Sequence, residues 1–253
     1  MTKSIFSLIV VLLGICLPSW GAERLRVATE GAYPPFNFLD EQGRPAGFDV
    51  EIARAICAEL KTECEIVAVP WDRILTDLTD GKYDMIVASM SETPERTKLA
   101  EFSISYCRTL SAFLGRPTVG IREVSPETVR GKVLASQVDT IQAAYLQSHY
   151  KDVAVLKFTA TMPEAFDALV KGEADYVLAD NLIIYSFMRS DAGQPFKVIG
   201  EPLSDGEVSS LSHIQVRKGN LKLLDAVNKA LHDIRLNGVY QAINAKYFPF
   251  DIY

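Results

Sequence analysis

The strongest local feature is the polar run Ser89-Met90-Ser91-Glu92-Thr93-Pro94-Glu95-Arg96. It sits between an apolar stretch ending at Ala88 and a helix-start signal in which Thr93 is the cap, Pro94 the first helical residue and Glu95 a first-turn acid. Backbone N–H groups, serine hydroxyls and a guanidinium converging on such a loop supply what a carboxylate needs. An ordinary Ser/Thr cap with a solvated Arg96 fits the same residues. Asp180 directly follows the apolar run Tyr176–Ala179, at the carboxyl end of a strand, where open α/β sheets place ligands. There it can pair with an ammonium, or it can be the N-cap of a helix starting at Asn181. Tyr33 precedes Pro34-Pro35 in a rigid, extended loop, and Trp71 opens a helix. Both offer flat faces to a ligand, cations included; the alternative for Trp71 is a place in the core.

Other chemistry has less support. His149, His213 and His232 are scattered without metal-ligand spacing, and no catalytic set is evident. Cys57 and Cys64 are seven apart; a disulfide competes with metal or redox chemistry, and the lack of CxxC spacing and of a nearby histidine favours a structural bridge. Cys107 stands alone and reads as a small buried hydrophobe.

The elements that must position these residues alternate. A strand is expected at Leu25–Thr29, then a helix with Ile52, Ile56 and Leu60 on one face, a strand at Cys64–Val69, a helix at Trp71–Thr79, a short strand at Met85–Ala88, a helix after Pro94 and a strand at Arg108–Arg116. A second group repeats the pattern. A short helix opens at Ser125-Pro126, strands fall at Val133–Ser136, Ala154–Phe158 and Tyr176–Ala179, and helices at Thr140–Ser148, Met162–Lys171 and Asn181–Met188. A strand at Leu211–Val216 and helices at Asn220–Asn237 and Val239–Tyr247 close the chain. Strand–helix alternation of this kind argues for an α/β fold with parallel sheets joined by crossover helices.

With 253 residues, 48% of them hydrophobic and 23% charged, the chain can build a sizeable core in one large domain or two smaller ones. Residues 1–21 read as a secretory signal peptide: Lys3, an apolar run from Ile5 to Leu17, then Pro18-Ser19-Trp20-Gly21 with cleavage near Gly21/Ala22. The apolar run is shorter than the ~20 residues that a membrane span needs. Lys3 is the only charged residue of that segment, so its removal takes the formal charge from −6 to −7. A chain so acidic has no electrostatic footprint for nucleic acid.

Taken together, Ala28-Thr29-Glu30-Gly31-Ala32-Tyr33-Pro34-Pro35-Phe36, Gly47-Phe48-Asp49-Val50-Glu51-Ile52-Ala53 and Asp84-Met85-Ile86-Val87-Ala88-Ser89-Met90-Ser91 with Arg96 resemble the periplasmic polar amino-acid-binding proteins of ABC importers. The lysine/arginine/ornithine-, histidine- and opine-binding members are the nearest types, and the resemblance spans the mature chain, including the Cys57–Cys64 pair and Gly238…Tyr247-Phe248. It implies a type II, two-lobed α/β binding-protein fold with two hinge strands, crossing near Arg108–Ala112 and Ser210–Ile214. One lobe would hold 22–108 and 214–253, the other 109–213. It further implies that Arg96 holds a ligand carboxylate, with Ser91 beside it and Met90 in the same segment. Ser89 would offer a backbone contact to the ammonium and Asp180 its carboxylate. Tyr33 and Trp71 would form aromatic walls, and Glu30 would meet the far end of a basic side chain. Where the family usually has a Gly-Thr-Thr or Gly-Ser-Thr turn, this chain has Asp139-Thr140-Ile141, in which backbone donation from Thr140 and Ile141 can survive. Asp139 would repel a carboxylate and favour a cationic ligand. The expectation is a monomeric, periplasmic protein, without cofactor or metal, that delivers a cationic amino acid to a membrane permease. The rival on the same fold is a secreted enzyme such as a cyclohexadienyl (prephenate/arogenate) dehydratase.

Overall fold

The computed structural model describes residues 24–117, 122–203 and 206–253, with Ser209 and Ser210 described in their backbone alone. The expected signal peptide lies outside the described residues.

The first α/β unit is built from β1 (Leu25–Thr29), β5 (Cys64–Ala68) and β6 (Met85–Ser91), all parallel, with α1 (Phe48–Glu59) and α2 (Trp71–Thr79) in the crossovers. Three short antiparallel strands, β2 (Ala32–Tyr33), β3 (Asn37–Leu39) and β4 (Pro45–Ala46), fill the connection after β1. Gly47 starts α1 at φ +113, where a Cβ would stand 2.4 Å from the Phe36 carbonyl oxygen. Only glycine lets α1 begin so close to the β2–β3 loop. The second unit contains β8 (Val133–Gln137), β9 (Val155–Thr159) and β10 (Tyr176–Asp180) with α3 (Ile141–His149), α4 (Met162–Val170) and α5 (Asn181–Met188); β8 is parallel to both β9 and β10.

Two long strands join the units. β7 (Ala100–Gly115) pairs antiparallel with β12 (Ser209–Arg217) from Ala100 to Leu110, then with β10 and β11 (Lys197–Leu203) from Ser111 to Gly115. The sheet therefore runs β5-β1-β6-β12-β7-β10-β8-β9, with β11 also on β7. The last helices, α6 (Leu221–Leu236) and α7 (Val239–Tyr247), return to pack on α1. The chain end is tied to the crossing strand by a 2.6 Å hydrogen bond from the Arg108 N–H to the Ile252 carbonyl.

Several local expectations change. β6 continues through Ser89-Met90-Ser91, all buried, because β12 pairs beyond Ala88. The helix expected after Pro94 is a single 3-10 turn, Arg96–Lys98, since β7 begins at Ala100 and leaves no room for more. Residues 126–131 form turns rather than a helix. β11, which no sequence signal marked, is interrupted by Gly200 and Pro202 and its register on β7 is irregular. Cys57 and Cys64 are bonded, their Cα atoms 6.1 Å apart, linking the end of α1 to the start of β5. Cys107 is a free thiol in the core.

Candidate functional site: a polar cavity between the two units

The cavity begins at a distortion in β6. Its register on β12 shifts between the Met90–His213 and Ile86–Gln215 pairs, and Ser89 adopts φ +50 there. Bulges of this kind re-aim side chains beside binding sites. Asp49, fully buried in the first turn of α1, fixes the distortion from behind. It accepts hydrogen bonds from Ser89 Oγ at 3.0 Å, Tyr106 Oη at 2.7 Å and Asn37 Nδ2 at 2.7 Å, while the Ser89 N–H donates to Tyr106 Oη at 2.8 Å. Burial pushes the Asp49 carboxyl up to about 6, with these hydrogen bonds pulling the other way.

Arg96 lies across the cavity mouth. One guanidinium nitrogen donates to the Ser91 carbonyl at 2.8 Å, and a second donates to the Asp139 carbonyl at 2.7 Å on the opposite unit. Trp71 Nε1 donates to the same Asp139 oxygen at 3.3 Å, and the Arg96 guanidinium stands 5.4 Å from the Trp71 ring centre, within cation–π range. Burial lowers the Arg96 pKa to about 10, which leaves it cationic at neutral pH.

On the opposite unit, Asp180 ends β10, buried. It accepts from Tyr33 Oη at 2.7 Å and from Gln142 Nε2 at 2.9 Å, and burial raises its pKa. Gln142 also reaches Ser111 Oγ at 3.0 Å, at the point where β7 changes partners. Glu30 follows β1 and accepts from Gln137 Nε2 at 2.6 Å across the cleft. Burial, opposed by that bond and helped by Asp49, raises the Glu30 carboxyl to about 7. Thr140 caps α3, its Oγ accepting from the Ala143 N–H at 3.1 Å, so the first turn of that helix faces the cavity.

These residues surround a cavity of about 20 Å³, room for about one water molecule with the two units as close as they stand here. Glu30, Tyr33, Trp71, Ser89, Ser91, Arg96, Thr140, Ile141 and Asp180 line it together. Met90 does not: its side chain is buried in the core with Ala28, Ile74 and Ile86, because alternation along β6 turns it away from Ser89 and Ser91. Ala88, Gln137 and Gln142 complete the wall. The two glutamines were missed, although each carries a signal: Gln137 ends a buried strand as Asp180 does, and Gln142 lies four residues before buried Leu146 on α3. The Asp139 side chain is exposed and off the wall; its carbonyl is what meets Arg96 and Trp71.

Two α/β lobes joined by paired crossing strands and meeting at a polar cavity define a periplasmic binding-protein fold. A model of the bacterial extracellular solute-binding proteins, family 3, matches residues 25–250, and the chain belongs to that family. Similar to it is the L-arginine-binding protein of Pseudomonas aeruginosa, 32% identical over 246 residues, which are 94% of this chain and 93% of the relative. Among solved structures, an ancestral arginine-binding protein bound to arginine superposes with a TM-score of 0.82 at 33% identity, covering 89% of this chain and 98% of that one. An ancestral amino-acid-binding protein described as a precursor of cyclohexadienyl dehydratase superposes with a TM-score of 0.78 at 28% identity, covering 89% and 95%.

Proposed function

We propose that this protein is the periplasmic, ligand-capturing component of an ABC-type importer, and that its two lobes close on a cationic amino acid of the arginine, lysine or ornithine kind. The observation that carries the reading is the pairing of Arg96 on one wall with Asp180 on the other, each already held by neighbouring groups. Arg96 and Ser91, with the N–H groups at the start of α3, suit a carboxylate. Asp180 and the Ser89 backbone suit the α-ammonium, Tyr33 and Trp71 flank the stem, and Glu30 meets the side-chain cation. The arginine-binding relatives support that choice. The lobe division belongs to the same proposal, with 22–108 and 214–253 in one lobe and 109–213 in the other; the change of partners on β7 between Leu110 and Ser111 supports it.

Each lobe holds part of the charge set, so ligand contacts are complete only when the cleft is shut. Ligand then favours the closed state by its differential affinity, and a membrane permease receives the closed form. We infer a monomer that binds no nucleic acid and returns its ligand chemically unchanged. The likeness to a dehydratase precursor gives the enzyme reading its one support. A thermal-shift screen of the twenty amino acids with ornithine, citrulline, octopine and nopaline tests the proposal. Stabilisation by basic amino acids is expected; stabilisation by acidic or aliphatic ones alone overturns the ligand class, and conversion of prephenate by the purified protein overturns the binding role.

A further inference from the structure

Glu30 is a buried carboxylate whose side-chain donor, Gln137, is a neutral amide reaching over from β8. The second N–H of that amide goes to the Ala160 carbonyl at 3.1 Å. The charge around Glu30 is mostly negative. Asp49 of α1 stands behind Ser89, and Asp180 at the end of β10 grips Tyr33, the cavity wall that follows Glu30 in sequence. Among the described residues lining the cavity, Arg96 is the one cation, and carbonyls of Ser91 and Asp139 hold it. Trp71, Gln137, Thr140 and Gln142 supply neutral faces.

Glu30, Asp49 and Asp180 against Arg96 leave a surplus of negative charge when all are ionised. The carboxylate and ammonium of an amino acid cancel each other, so a neutral side chain leaves the surplus in place and a cationic one reduces it. An uncompensated buried carboxylate is costly, and taking up a proton is the usual relief. We propose that recognition in this cavity is proton-linked through Glu30: a cationic side chain docks on its carboxylate with release of a proton, whereas a neutral side chain of the same shape docks with Glu30 protonated. This rests on the cationic-ligand reading above. In the first case the carboxyl O–H bond breaks, the electron pair stays on oxygen and buffer base takes the proton, while the ligand keeps its own. In the second, Glu30 Oε1 goes on accepting from Gln137. The burial that lifts Glu30 to about 7 puts the exchange near neutral pH.

Titration calorimetry of the intact protein at pH 7, in phosphate, HEPES and Tris buffers of different ionisation enthalpy, measures the proton count. L-arginine is compared with L-citrulline, its neutral isostere, so that any proton lost from Asp180 to the shared ammonium cancels. With a pKa of about 7, arginine is expected to release about half a proton and citrulline to take up about half, a difference of about one, and the arginine Kd to be about tenfold weaker at pH 6 than at pH 8. Glu30→Gln removes the difference. Gln137→Leu takes away the bond that holds the Glu30 pKa down and so raises the proton release by arginine and lowers the uptake by citrulline, which a packing role for Gln137 does not predict. Equal proton counts for the two ligands overturn the linkage while leaving arginine binding intact. If citrulline gives no heat, an arginine Kd unchanged between pH 6 and pH 8 overturns it. Failure of arginine to bind at either pH removes the ligand reading itself.

Discussion

Tyr33 Oη and Asp180 Oδ2, 147 residues apart in the chain, share a buried 2.7 Å hydrogen bond that runs from the β2 loop of one unit to the end of β10 in the other. It makes Tyr33 a closing contact as well as an aromatic wall. A hydrogen bond to a charged group contributes about 1.5–3 kcal/mol, so Tyr33→Phe is expected to weaken arginine binding by about tenfold or more while leaving the ligand-free melting temperature within about 2 °C. Calorimetric titration beside a thermal melt checks both; an unchanged Kd shows that the bond does not contribute to closure.

Arg96→Ala and Asp180→Ala should each abolish the thermal shift given by arginine, because either change strands one end of a zwitterion in a low-dielectric cavity. At ligand concentrations one hundred times Kd the wild-type stabilisation is about 2.7 kcal/mol, large enough for its loss to be unmistakable. Normal binding by both variants means that the ligand ends are held elsewhere.

Stability should fall as pH rises from about 4 to about 7 in the absence of ligand. Asp49, Glu30 and Asp180 all have folded-state pKa values raised by burial, the first two to about 6 and about 7. Between the ordinary carboxylate range and those values the native protein holds protons that the unfolded chain has lost, so the slope of unfolding free energy against pH is negative. Each raised unit corresponds to about 1.4 kcal/mol at most. Melts at pH 5.5 and pH 8.0 are expected to show the higher melting temperature at pH 5.5, and Glu30→Gln to flatten the upper part of the profile.

The alternation that names the fold class was readable because helices α1, α2, α5 and α6 carry apolar faces at helical spacing and the buried strands are short apolar runs. Arg96, Ser91 and Asp180 were readable because strand ends and cap signals are local. Asp49 was not, since its partner Ser89 is 40 residues away, and the local signals at Gln137 and Gln142 say nothing of their partners Glu30 and Ser111, 107 and 31 residues away. β11 escaped because Gly200 and Pro202 interrupt a strand that only its pairing with β7 sustains. Ser89 to Ser91 looked like a loop for the converse reason: their hydroxyls suit a turn, and β12 makes them strand.

Replacing both Cys57 and Cys64 by alanine should lower stability without touching the ligand. The bridge spans seven positions at the edge of the first unit, away from the cavity. Chain entropy for so short a loop amounts to about 2.5 kcal/mol. Denaturant unfolding is expected to show a loss of that order, with the arginine Kd unchanged; a large rise in Kd means that the α1–β5 corner positions Asp49 more directly than its hydrogen bonds show.

Asp139 adopts a φ of +58, a left-handed conformation that glycine suits. Aspartate tolerates the left-handed region better than most residues, and β-branched side chains tolerate it worst. What Asp139 gives the cavity is its carbonyl oxygen, which receives Arg96 and Trp71 and needs no particular side chain. Asp139→Gly should therefore keep the arginine Kd within about threefold and alter stability by less than about 1 kcal/mol, relief of strain being offset by the freer unfolded chain. Asp139→Val should destabilise the protein by about 1–2 kcal/mol and weaken binding as well, because relaxing φ swings the carbonyl away from both donors. Isothermal titration beside urea unfolding separates the two variants. If glycine weakens binding as much as valine does, the exposed carboxylate of Asp139 acts on the ligand through its charge, and the carbonyl is not its main contribution.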